Sequence, residues 1–129
     1  MAEWDFPFDP DPDKGWYLVV GPGGVPIVSE QEGKRCAIFT ILREFAEEFV
    51  QAFSEKNLTI QQVFPKDHEW LAAVVAKAGI TEFWCARGRA EGDTSREEVI
   101  EAIRKGECPG YIVTADSTVE KFKELDPSS

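Results

Sequence analysis

At Thr40 the spacing of the apolar residues changes. Upstream lie three short β-rich runs, Trp16 to Val20, Val25 to Val28 and Cys36 to Thr40, separated by turn residues. Downstream, Leu42, Phe45, Ala46, Phe49, Val50 and Phe53 recur at three- and four-residue intervals, while Arg43, Glu44, Glu47, Glu48 and Gln51 fall on the other side. A chain of 129 residues matches one ordinary domain with one core. Strand runs followed by amphipathic helices within that length have to bury a sheet under the helices.

Turn chemistry punctuates the pattern. Gly21-Pro22-Gly23-Gly24 predicts a hairpin between the first two runs, and a polar turn at Gln31 to Lys34 leads into the third, giving a three-stranded antiparallel meander. Pro26 has no N–H to give a ladder, so its strand is expected at an edge or an end. Thr40 serves as an N-cap for the first helix and Asn57 as its stop, ahead of a strand over residues 58–64. Pro65 and Asp67 open a second helix, which carries Trp70, Leu71, Val74, Val75 and Ala78 and closes at Gly79. Residues 83–86 read as a strand buried on both faces. Thr94 and Glu97 form a capping box for a third helix with Val99, Ile100 and Ile103 inward, ended by Gly106. Residues 111–115 read as another buried strand. Ser117 and Glu120 form a capping box for a last helix with Val119, Phe122 and Leu125 inward. The expected fold class is α/β (α+β): the meander, then alternating helix-strand units, forming one mixed sheet covered by about four helices. The domain is expected over residues 16–126, with an arm at 1–15 and a tail at 127–129.

The formal net charge of −10 narrows the partners. A negative surface repels nucleic-acid phosphates and acidic membranes, so neither is an expected partner, whereas a basic protein is. Cys36, Cys85 and Cys108 are odd in number and widely spaced, so neither a disulfide framework nor a zinc site is encoded, and no metal or other cofactor is expected. Residues 1–15 hold five acids, one lysine and three prolines, the opposite of a signal peptide's basic start and apolar middle. The expected setting is reducing and cytoplasmic.

Groups that bear chemistry are few and scattered. His68, the one histidine, sits at the start of the second helix and is expected on the surface with nothing to orient it. Cys85 ends a strand and leads into Ala86-Arg87-Gly88-Arg89, where Arg87 and Arg89 could favour a thiolate. The loop lacks the phosphatase spacing, since Glu91 stands six positions on, and the next cap at Thr94 is too distant to aim a helix dipole at the sulfur. Asp9, Asp11 and Asp13 imitate the opening of a calcium loop, but Lys14 and Val20 occupy its glycine and bidentate-glutamate positions. Arg87, Arg89 and Arg96 read as a solvated basic island interleaved with Glu91 and Asp93, and Glu44, Glu47 and Glu48 as a wet helix side.

From Tyr17 to Ala86 the order of a strand, a glycine turn, Val25-Pro26-Ile27-Val28, and Ala37-Ile38-Phe39-Thr40 directly before a helix resembles the N-terminal domain of SseB-like proteins. Phe39-Thr40 falls where that family closes a strand ahead of a helix. The family's Asn-Pro element after the later strand has no counterpart, Arg87-Gly88 standing there. The resemblance implies a small α/β module and transfers no catalytic residue. The first expectation is therefore a non-enzymatic module acting through protein contacts, with the acidic surface and the arm aromatics Trp4, Phe6 and Phe8 as contact elements. The alternative is a thiol-dependent or small-molecule-binding enzyme with its site at the strand ends around Cys85, Arg87, Arg89 and Thr114 or Asp116. An immunity-type inhibitor of a basic toxin is a third reading, supported by charge alone.

Overall fold

The computed structural model describes residues 15–41, 43–86, 97, 98, 101, 104, 105 and 110–127. Six strands, β1 (Trp16–Val20), β2 (Val28–Gln31), β3 (Lys34–Thr40), β4 (Thr59–Val63), β5 (Glu82–Ala86) and β6 (Gly110–Thr114), form one mixed sheet. Its order is β4-β1-β3-β5-β6, with β2 also laid against β3. Only β3 and β5 pair in parallel. Three helices, α1 (Arg43–Ala52), α2 (His68–Ala78) and α3 (Ala115–Leu125), complete the α+β architecture. Glu97, Glu98, Glu101 and Arg104 are also helical, where the sequence places a further helix.

Strand alternation divides the side chains between two cores. Trp16, Leu18, Val20, Ala37, Phe39, Val63, Phe83 and Val113 meet Leu71 and Val75 of α2 and Phe122 of α3 on one face. Val19, Ile38 and Trp84 meet Phe45, Ala46, Phe49 and Ala52 of α1 on the other. The residues 83 and 84 thus point to opposite, buried faces, as a continuous apolar run requires. At the centre of the first core the Phe39 ring lies 4.9 Å from Trp16, 4.8 Å from Phe83 and 5.5 Å from Phe122, and all four side chains are fully buried.

The antiparallel N-terminal unit is present, and its pairing carries one departure from the expected hairpin. β1 and β2 both lie along the same edge of β3, at Leu18↔Phe39 and Val28↔Ala37, and touch each other only through the bridge Val20↔Pro26. Pro26 explains the departure, because a residue without an N–H cannot extend a ladder. The backbone closes on itself instead, with Gly21 N–H donating to Val25 C=O at 2.8 Å, and strand pairing resumes at Val28. The following turn, Glu32-Gly33, takes positive φ at both positions (50° and 79°), the two-residue geometry that suits the twist of a hairpin.

Two other elements differ from the sequence reading. The last helix starts at Ala115 rather than after Ser117. Thr114 is its N-cap, the hydroxyl accepting from Ser117 N–H at 3.3 Å, while Ser117 and Thr118 hydroxyls donate back to Thr114 C=O. β6 is not a buried strand throughout. It pairs only with β5 at the sheet edge, leaving Ile112 50% exposed while Val113 is buried. Gly15, which leads into β1 at φ 66°, is buried so closely that a Cβ would run into the Val63 carbonyl. Gly15 therefore belongs to the folded body.

The central aromatic group sets the expected stability pattern. Phe39→Ala should lower the unfolding free energy by about 3–5 kcal/mol, whereas Ile112→Ala should change it by less than about 1 kcal/mol. Urea titrations of the two variants check the contrast.

Candidate functional site

Because the chain leaves the β3 edge between Gly21 and Ile27, the α1 face of the sheet is not covered evenly. A pocket of about 230 Å³ opens there, lined by Ile27, Val28 and Ser29, by Cys36 and Ile38 of β3, by Trp84 of β5, by Phe49 and Phe53, and by Lys56 and Arg104. Its floor is aromatic. Phe49 stacks on Phe53 at 5.0 Å between ring centroids and meets Trp84 edge-on at 6.2 Å. The volume is smaller than the ~300 Å³ at which drug-sized ligand sites begin, so it suits one ring system or one large side chain.

The rim is cationic. Phe53 follows α1, and the short 3-10 turn Ser54–Lys56 brings Lys56 back over it, the ammonium lying 5.6 Å from the ring centroid. The turn is closed by Asn57 in the left-handed region, φ 54°, a conformation that asparagine tolerates better than most residues. Arg104 reaches the same ring from another element, its guanidinium 5.5 Å from the centroid, and donates to Glu55 Oε2 at 3.3 Å. The Glu55 carboxyl is held below its ordinary value. A hydrogen bond from its own backbone is the largest cause; desolvation, the next in size, opposes it, and the charge and hydrogen bond of Arg104 and the charge of Lys56 act with the backbone. Since its folded value is the lower one, Glu55 keeps its charge at neutral pH, and its tie to Arg104 weakens only as pH falls through that lowered value.

Trp84 and Cys36 complete the wall. Trp84 is 7% exposed, and its indole N–H is buried with no acceptor among the described residues. Cys36 contributes a half-buried thiol to the wall. An aromatic floor with two cations at the lip favours an apolar group that bears a negative charge.

None of the described pocket residues was singled out from sequence. Trp4, Phe6, Phe8, Arg87 and Arg89 fall outside the described residues, as does the side chain of Cys85, whose backbone pairs with Tyr111 in β5. Thr114 is occupied as the cap of α3, and Asp116 is exposed in that helix's first turn. His68 is a correction. It is neither on the open surface nor without orientation: its Nε2 lies 3.1 Å from Asp126 Oδ2, with the two side chains 14% and 7% exposed. The pair ties the start of α2 to the residue that follows α3, across 58 positions of sequence. Sequence reasoning missed it because no local pattern joins those positions. Lys56 and Arg104 were missed for the same reason, although cations on so acidic a chain are a signal in their own right.

Among the described residues no group of three or more His, Cys, Asp or Glu side chains is placed to hold a metal ion. No described helix is long and apolar enough to cross a membrane. No protein-family model matches this chain, and no characterised protein does.

The His68–Asp126 tie is a structural contact with a measurable weight. His68→Ala should reduce stability by about 1–2 kcal/mol, read from urea denaturation at pH 7. An unchanged midpoint would mean the contact contributes nothing.

Proposed function

We propose that this chain is a binding module whose site accepts an aromatic or apolar group carrying a carboxylate. The observation that supports it is the convergence of Lys56 and Arg104, from separate elements, on one aromatic ring at the mouth of an apolar pocket. On a chain of net charge −10 these two cations are a local reversal of sign. They attract an anion that the rest of the surface repels. The bound group places its ring against Phe49, Phe53 and Trp84 and its carboxylate between the cations. Turnover is not part of the reading, since among the described residues no nucleophile paired with an oriented base lines the pocket.

The net charge of −10 supports a second half of the same proposal, that the partner delivering or receiving the ligand is a basic protein. An SseB-like origin is proposed as well, supported by β3 closing on Phe39-Thr40 shortly before α1. A cytoplasmic setting fits three cysteines without a disulfide pattern.

The test is calorimetric titration with 2-naphthoate, which has the ring and the charge. A dissociation constant of roughly 0.1–1 mM is expected for so small a ligand. Lys56→Glu combined with Arg104→Glu should weaken binding at least about tenfold, and Glu55→Gln, which releases Arg104, should strengthen it. Equal binding of 2-naphthylmethylamine, the same ring with a positive charge, would show that the cations do not select the ligand. Absence of 2-naphthoate binding to every form of the protein would overturn the proposal.

A further inference from the structure

We infer that the outer face of α2 docks on the same face of a second copy of this chain, with the two helices antiparallel. α2 is apolar nearly all round: eight of its eleven residues, all but His68, Glu69 and Lys77, are apolar. Leu71 and Val75 point into the core, and Val74 and Ala78 pack against it. Trp70, which the sequence groups with these apolar positions, is instead turned outward and 42% exposed, and Ala73 and Ala76 are exposed beside it. The other two helices end in water differently. The exposed positions of α1 are Arg43, Glu44, Glu47 and Gln51, and those of α3 are Asp116, Glu120, Lys123 and Glu124. A helix with apolar residues on its outer side as well has a second surface to cover.

The charges on that side select a second copy as its cover. At about 3.6 residues per turn, the five exposed positions Glu69, Trp70, Ala73, Ala76 and Lys77 fall in one stripe centred on Ala73. Charge stands only at the ends of the stripe, Glu69 and Lys77, four residues to either side of Ala73 and about 12 Å apart along the axis. A two-fold axis at Ala73 with the helices antiparallel brings Glu69 of each copy to the Lys77 end of the other. A parallel pairing would oppose like charges. Lys66, the other cation near the Glu69 end, is drawn over the Phe64 ring, 5.7 Å from its centroid. Trp70 supplies the large anchor, and the alanines allow the two helices to approach closely. The end charges add little affinity; they choose the orientation. α2 covers one face of the sheet and the pocket opens on the other, under α1, so both copies keep their pockets open.

The contact is short, and the charge of −10 on each copy opposes it, so a dissociation constant on the order of 10–100 µM is expected in about 0.3 M salt, which screens the repulsion. The experiment is sedimentation velocity of the full-length protein from about 5 to 500 µM. Beside it run Trp70→Ser, Glu69→Lys, Lys77→Glu and the double variant Glu69→Lys, Lys77→Glu, each shown by urea melts to fold. The natural chain should pass from monomer to dimer across that range. Trp70→Ser should weaken the dimer at least about tenfold, each single charge variant should weaken it roughly threefold, and the double variant should recover the natural value. A natural chain that stays monomeric at every concentration would overturn the inference and leave the face to a different protein. Dimerisation undiminished by Trp70→Ser would put the contact elsewhere and overturn it too. A folded double variant as weak as the single ones would overturn the antiparallel pairing.

Discussion

The packing of Phe39 against Trp16, Phe83 and Phe122 is the constraint on which the other elements depend. These four rings come from β1, β3, β5 and α3, so one contact set joins the antiparallel half of the sheet, the parallel pair and the last helix. Burial of this much aromatic surface is a large favourable term for a domain of this size. It also fixes register. A shift of β3 by one residue would turn Phe39 toward α1 and place Ile38 among the large rings, exchanging both cores at once. With β3 held, its neighbour Ile38 and β5's Trp84 are committed to the opposite face, where they form the pocket floor.

The same constraint explains why the pocket exists. β3 offers a single edge to both β1 and β2, and the chain has to leave that edge around Pro26 before rejoining it. The excursion leaves Ile27, Val28 and Ser29 as a wall rather than as continuous ladder. Opposite them, α1 ends at Ala52 and the turn through Lys56 folds over Phe53, so the rim is set by a helix end and not by a flexible addition. Recognition capacity is thus a by-product of how the strands share an edge.

Much of the architecture is legible in local sequence. The three-and-four spacing from Leu42 to Phe53 finds α1, and Gly79 marks the end of α2, where it adopts φ 69°. Locality is also the limit. Gly21-Pro22-Gly23-Gly24 announces a turn but not which strand the chain will pair with afterwards, and Thr114 and Ser117 are equally good caps until the packing of Ala115 decides between them. The site was less visible still. Lys56 and Arg104 stand 48 positions apart, and His68 and Asp126 stand 58 apart, so neither pair leaves a motif.

The indole N–H of Trp84 reports on that pocket directly, because it is buried in the wall with no acceptor among the described residues. Trp16 lies in the opposite core and provides an internal reference. In ¹H–¹⁵N spectra, titrating 2-naphthoate into the protein should move the Trp84 indole resonance progressively and saturably while that of Trp16 stays in place. A Trp84 resonance that does not move, or equal movement of both indoles, would contradict recognition at this site.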